Sequence, residues 1–280
     1  MLDQKIKNKI DRSATVSFDI FDTIICRGCS KPDDVFNIIA RQINIKEQKF
    51  HDDRVEAERK ARNRKGKREI TLYDIYECLP DEYLPLKNKL IELEIHAEEK
   101  IVYRNRKLIE IYEYCIKEKR VILISDMYLD SNVIKRLLDI CGIFGFEKIY
   151  VSCECGRKKS DGSLFEHVLK EENLKPQDLL HIGDNLKADY INAKRKGIAA
   201  HLIQKTVKNE TKENDLSILK AFVERELTNE NPYYNFGFRY LGPAIYGYVS
   251  WVQQQLVKRQ INKIFFLPGK ASLLNKHLIL

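Results

Sequence analysis

The sequence predicts an α/β protein: a doubly wound parallel sheet with an inserted helical segment and a C-terminal helical, partly α/β extension. Three observations predict it. Five short apolar runs, Ala14–Phe18, Val121–Ser125, Lys148–Ser152, Leu179–Gly183 and Ala199–Ile203, are nearly continuous in hydrophobicity, as strands covered on both faces are. From Asn105 onward these runs alternate with helical patterns, which implies parallel pairing through right-handed crossovers. The first run is separated from the others by a polar, helix-forming stretch without strand alternation, Ser30–Arg106.

In chain order, the run Val16–Ile25 carries Asp19 and Thr23 at its end. A carboxylate at the carboxyl end of a strand lies where ligands bind in open α/β sheets, and can serve as nucleophile or metal ligand. Asp-x-x-x-Thr by itself is equally compatible with a helix cap after a strand. The region after it opens with Lys31–Ala40, whose Val35, Ile38 and Ile39 fall at helical spacing. The basic run from Arg59 to Arg68 reads as a solvated helix face followed by a loop, with a substrate clamp as the alternative. Thr71 opens another helix and Leu86–Lys100 forms a third, so this region reads as a helical lid.

Lys107–Lys117 places Leu108, Ile111, Tyr112 and Cys115 on one stripe. The second strand ends at Ser125-Asp126. Asp130 and Ser131 suit the cap of the next helix, and Gly142 its end. The third strand leads into Gly156-Arg-Lys-Lys-Ser-Asp-Gly162, followed by a helix over Phe165–Glu171. The fourth ends at Asp184, and a helix over Lys187–Lys196 closes at Gly197 before the fifth. Asn209–Asn231 reads as a charged connector with a helix around Leu216–Glu226. Phe238–Val257 is the most apolar helix candidate, and Lys263–Leu267 resembles the first strand of a further unit. Tyr240–Val257 is short and holds Gln253, Gln254 and Gln255, so it reads as a buried or docking helix and the protein as not integral to a membrane.

The net charge of +8 favours anionic partners, but 49 basic residues are interspersed with 41 acidic ones, and no DNA- or RNA-reading motif is present. A nucleic-acid partner is therefore not expected; a small phosphorylated compound is. The amino terminus lacks the apolar core of a signal peptide, which suggests a cytoplasmic protein. Seven cysteines, an odd number, suggest free thiols; a zinc site uniting the Cys26/Cys29 and Cys153/Cys155 pairs is disfavoured because the second pair is spaced too closely.

Four strand ends thus supply Asp19 with Thr23, Ser125 with Asp126, a lysine from Lys158 or Lys159, and Asp184 with Asn185 and Asp189. Phosphoryl transfer needs these types: it is catalysed by positioning and by neutralising charge on the phosphoryl oxygens, and Mg²⁺ prefers hard oxygen ligands. Asn185 and Asp189 suit the orientation of ligands, or equally the acid-favouring start of a helix.

In order and spacing, across Val16–Ile203, this set resembles the haloacid dehalogenase-like (HAD) hydrolases. The resemblance implies a Rossmann-like core of residues 1–29 and 107–205, a helical cap over 30–106, and an extension over 206–280. It implies Asp19 as the nucleophile forming an aspartyl-phosphate, assisted by Thr23, with Mg²⁺ held by Asp19, the Phe21 carbonyl and Asp184. Ser125 and Asp126 would bind the phosphoryl group. Lys159, rather than a solvated Lys158, would neutralise its charge, because Lys159–Gly162 has the family spacing. Phosphatases of this superfamily carry an acid/base aspartate two residues after the nucleophile, where this chain has Phe21. The motifs Phe18-Asp-Ile-Phe-Asp-Thr, Ser125-Asp-Met-Tyr and Leu241-Gly-Pro-Ala-Ile-Tyr-Gly-Tyr-Val resemble HAD hydrolases encoded among bacterial polysaccharide and glycosyltransferase genes. The lead expectation is a phosphohydrolase or phosphotransferase of weakened turnover, with a sugar phosphate as one candidate substrate. The alternatives are a poorly catalytic scaffold that docks a protein partner through its C-terminal helix, and a C–P or C–halogen hydrolase.

Overall fold

The computed structural model describes residues 3–29, 31–66, 68–203, 214–227 and 231–261, without the side chains of 214–217. They fall into two compact units, residues 1–225 and 226–280. The strand expected at Lys263–Leu267 lies outside the described residues.

The first unit begins with α1 (Gln4–Asp11), which lays Ile6 and Ile10 against the core. A five-stranded parallel sheet follows from β1 (Thr15–Phe18), β4 (Arg120–Ser125), β5 (Lys148–Val151), β6 (Leu179–Gly183) and β7 (Ala199–Leu202), in the order β5-β4-β1-β6-β7. Every residue of β1 and β6 is buried, so neither strand turns a face to solvent. Successive residues of β4 enter different cores. Val121 and Leu123 join the larger, with α1, whereas Ile122 and Ile124 join a smaller one with Leu164, Phe165 and Val168. The chain adds strands on one side of β1, then crosses to the other for β6, so the switch point that admits ligands lies between β1 and β6.

Between β1 and β4 lies the inserted segment. It is not purely helical as expected: β2 (Ile25–Arg27) pairs antiparallel with β3 (Val102–Arg104), forming a two-stranded ribbon at its base. Three residues per strand are too few to show alternation, and Ile25 merges in sequence with the apolar run before it. Within the ribbon stand α2 (Val35–Gln42), α3 (Glu47–Lys65), α4 (Leu72–Tyr76) and α5 (Lys87–Ile101). Thr71 caps α4 through a reciprocal bond with Asp74. The part of the basic run up to Lys65 belongs to α3 and is matched by acids: Arg59 pairs with Glu56, and Arg62 with Glu58 and Glu69. Upstream of it Arg54 is wholly buried and forks onto Glu94 at 2.9 and 2.7 Å, under the ring of Phe36.

The chain returns through α6 (Arg106–Glu118) to β4. It continues through α7 (Ser131–Ile140), capped by Asp130 on the Val133 amide at 2.9 Å, to β5. A short α8 (Ser152–Cys155) and α9 (Ser163–Glu171) precede β6. The helix expected over Lys187–Lys196 is instead a π-turn, Leu186–Ile191, continued by α10 (Asn192–Arg195). After β7, α11 (Asn214–Glu226) is held by Arg225 on the carbonyls of Glu99 and Lys100. The second unit contains α12 (Pro232–Phe236), a π-turn over Gly237–Leu241 and α13 (Gly242–Lys258), with Tyr240, Tyr246 and Trp251 exposed. Among the described residues no helix is long and apolar enough to cross a membrane.

Candidate active site

Asp19 follows β1 directly, and its amide is fixed by the carbonyl of Ile182 on β6. Asp184 follows β6, so the two carboxylates meet at the switch point. Thr23 stands between them, with Oγ1 3.0 Å from Asp19 Oδ2 and 3.4 Å from Asp184 Oδ1. Thr23 is itself placed by Asn105, whose side-chain amide donates to the Thr23 carbonyl at 2.8 Å where the chain returns from the inserted segment.

Lys159 enters from the loop after α8. It is 3% exposed, and its Nζ lies 2.5 Å from Asp19 Oδ1 and 2.7 Å from Asp189 Oδ1. Lys158, expected to be solvated, is instead mostly covered and pairs with Glu69 of the inserted segment at 3.2 Å. Glu69 also accepts from the Ser152 hydroxyl at 3.0 Å, and Ser152 Oγ in turn accepts from the Met127 amide. With the Leu72 amide bonded to the Tyr128 carbonyl, these contacts tie the inserted segment to the loop after Ser125.

Asp189 sits in the π-turn and is fully engaged. Besides Lys159, it accepts from the Asn185 amide at 2.9 Å and from His181 Nε2, 3.2 Å away. His181 lies within β6, and its Nδ1 is 2.8 Å from Ser17 Oγ on β1. Because Nε2 must donate to a carboxylate, Nδ1 is the acceptor and the Ser17 hydroxyl donates to it. The Asn185 side chain caps the π-turn on the amides of Lys187 and Ala188.

Ser125 ends β4 beside β1 and is buried. The Asp126 carboxylate accepts from the amides of Lys159 at 2.8 Å and Ser160 at 3.2 Å. Phe21 lies in the turn between β1 and β2 with its ring against the guanidinium of Arg27, 4.2 Å away. Arg27 is buried and paired with Glu98 at 2.8 Å. Asp22, with φ +57°, contributes its charge to the surroundings of Tyr103. The predicted residues thus lie at the strand ends, in the turns and loops that follow them or, for Asp189, in the π-turn. Sequence reasoning missed His181, Ser17, Asn105 and Glu69; polar residues inside two otherwise apolar strands were the available signal for the first two.

Charge at the site is unbalanced. Three carboxylates, Asp19, Asp184 and Asp189, offer oxygens within 4.8 Å of one another, and Lys159 is the ammonium among them. Burial raises the Asp19 carboxyl, against the pull of Lys159 and with the help of Asp189 and Asp184, to about 7. Against the opposing effect of burial, Lys159 and His181 hold Asp189 well below the carboxylate range. Likewise against burial, Asp19 and Asp189 hold Lys159 well above the usual ammonium value. Burial lowers His181 and keeps it neutral. The donor set is oxygen only and carries excess negative charge, which fits a hard divalent cation such as Mg²⁺.

Comparison with known proteins agrees with this fold. The structure of a HAD-hydrolase, YfnB from Bacillus subtilis, bound to magnesium, superposes with a TM-score of 0.52 at 17% identity, over 73% of this chain and 96% of that one. The defluorinating L-2-haloacid dehalogenase Rha0230 gives 0.54 at 16%, over 73% and 86%. The 2-haloacid dehalogenase of Pseudomonas syringae pv. tomato DC3000 gives 0.50 at 18%, over 67% and 85%. At such identities the likeness concerns the fold. A sequence search of curated proteins finds no significant match. Residues 14–197 match the haloacid dehalogenase-like hydrolase family, and these bounds run from just before the central strand to just past α10, so the chain belongs to that family of hydrolases.

Proposed function

We propose that the protein is a Mg²⁺-dependent phosphohydrolase or phosphotransferase acting through an aspartyl-phosphate on a small phosphorylated compound. The observation that carries this reading is the clustering of Asp19, Asp184 and Asp189 at the switch point of the sheet, with the Lys159 ammonium between Asp19 and Asp189. When bound, Mg²⁺ would be held by Asp19 and Asp184 and would draw negative charge from the phosphoryl oxygens and carboxylates. The Phe21 carbonyl is the remaining protein ligand proposed.

Asp19 is aimed by two donors, Lys159 on one oxygen and Thr23 on the other, which fixes its rotation for attack on phosphorus. Attack forms the Asp19–phosphorus bond and expels the alcohol oxygen of the ester. Water then attacks phosphorus, regenerating the carboxylate and releasing phosphate. Ser125 offers its hydroxyl to a phosphoryl oxygen, while Lys159 offsets the charge gathering there. Asp189 keeps Lys159 in place, and His181 keeps Asp189 in place. Phe21 cannot hand a proton to the leaving oxygen, so that proton comes from the substrate or from water, and turnover is slow. The bonds from Glu69 and Leu72 hold the inserted segment against the core beside the loop that follows Ser125.

The test is phosphate release from a panel of phosphorylated metabolites, sugar phosphates included, with and without Mg²⁺, beside Asp19→Asn. Release that needs both the metal and Asp19 supports the reading. No release above the variant makes the chain a binding module instead. Metal-independent halide release from 2-haloacids would replace phosphoryl transfer with C–halogen cleavage.

A further inference from the structure

The loop that delivers Lys159 is irregular, and an irregular loop has no ladder of backbone bonds to fix it. Three consecutive peptide groups around Lys159 and Ser160 are nevertheless held, the middle one from both sides. The Asp126 carboxylate takes the amides of Lys159 and Ser160. Asn192, at the start of α10 and 4% exposed, sends its side-chain N–H groups to the carbonyls of Lys159 at 3.0 Å and Ser160 at 2.7 Å. Both partners of Asn192 are carbonyl oxygens, so its amide orientation is dictated by chemistry: only the NH₂ end can face them.

Asn192 lies three residues after Asp189, across the end of the π-turn. One short segment therefore grips Lys159 twice, at its ammonium through Asp189 and at its backbone through Asn192. A lysine side chain is a flexible four-carbon stem, and fixing it costs rotamer entropy. Anchoring the backbone narrows the directions that stem can take. The neighbouring Lys158, held by Glu69, shows that the loop also presents a lysine away from Asp19.

We propose that Asn192 is a positioning residue for Lys159: by clamping the Lys159–Ser160 carbonyls opposite Asp126, it fixes which of the two adjacent lysines faces Asp19. The inference concerns the lysine that the proposed reaction uses, and only the kinetic half of its test rests on that reading.

The experiment compares the full-length protein with Asn192→Ala and with Asn192→Asp, which keeps the size but removes the donors. Amide hydrogen exchange is followed at Lys159 and Ser160, with the amides of β1 and β6 as the fold control. The expected result is exchange about tenfold faster at Lys159 and Ser160 with the strands unchanged. Unchanged exchange at those two amides overturns the proposal. So does loss of protection throughout the strands in both variants, which would assign Asn192 to the fold as a whole. In phosphate release, kcat should fall by about 10²-fold with KM nearly constant; a change confined to KM also overturns it. A wild-type protein that releases no phosphate defeats the proposed reaction and leaves the exchange measurement to decide this point.

Discussion

A β-carbon on Gly183 would lie 2.4 Å from Cγ of Asp189, closer than any real contact of that kind. The last residue of β6 is glycine because the Asp189 carboxylate folds back over it to reach Lys159 and His181. Gly183→Ala must displace either the strand end or the carboxylate. Overpacking of this kind costs about 1–3 kcal/mol, and thermal or urea unfolding measures it. A midpoint equal to wild type, with phosphate release retained, would show that Asp189 does not need this approach.

The proposed binding of Mg²⁺ at Asp19 would depend on pH. Its carboxyl, at about 7, is well above the 3.8 of an unfolded aspartate because it is buried and has acidic neighbours. Between these values the folded chain binds more protons than the unfolded one. The metal-free protein therefore loses stability as pH rises through this window, and the loss levels off above about 7. A cation needs the ionised form, so Mg²⁺ binding at pH 6 should release a proton and at pH 8.5 almost none. Titration calorimetry in buffers of different ionisation heat reads this directly; equal proton release at both pH values refutes the assignment.

In the proposed reaction Phe21 stands where an acid would assist the leaving group, and its ring packs on Arg27. Phe21→Asp supplies that acid. General acid–base help is worth about 10²–10⁴-fold, and Arg27, although already bound to Glu98, will draw part of the new carboxylate toward itself. A gain near the lower end is expected, largest for substrates with poor leaving groups. A reduced rate for every substrate would argue that Phe21 serves packing alone.

Glu69 joins the inserted segment to the core through Ser152 and Lys158. Glu69→Ala leaves a buried hydroxyl and a mostly covered ammonium without this partner, at a cost of about 1–3 kcal/mol. Its particular signature is faster amide exchange at Leu72 and Met127 with the strands of the sheet unchanged. Lys158→Ala should cost less, since that lysine is partly exposed. If both variants exchange as wild type does, the inserted segment is held elsewhere.

The strands, their order along the chain and the residues at their ends were legible in the sequence, because buried parallel strands are apolar runs and the polar residues that end them stand out. The ribbon formed by Ile25–Arg27 and Val102–Arg104 was not, because a pairing between segments so far apart leaves no local pattern. Nor was the burial of Arg54: within a charged helix its sequence context is that of Arg59, and only the packing of Phe36 and Glu94 around it distinguishes the two.

By itself the sequence determined the sheet, the family and the residue types that can handle a phosphoryl group. Only the tertiary structure decided that Lys158 turns to Glu69 instead of to solvent, that Asp126 holds a loop by its carboxylate, and that Ser17 and His181 continue the polar chain behind Asp189. The reason is physical. Periodicity records which face of an element is covered, whereas the direction of a side chain in an irregular loop is set by hydrogen-bond partners that arrive from distant parts of the chain.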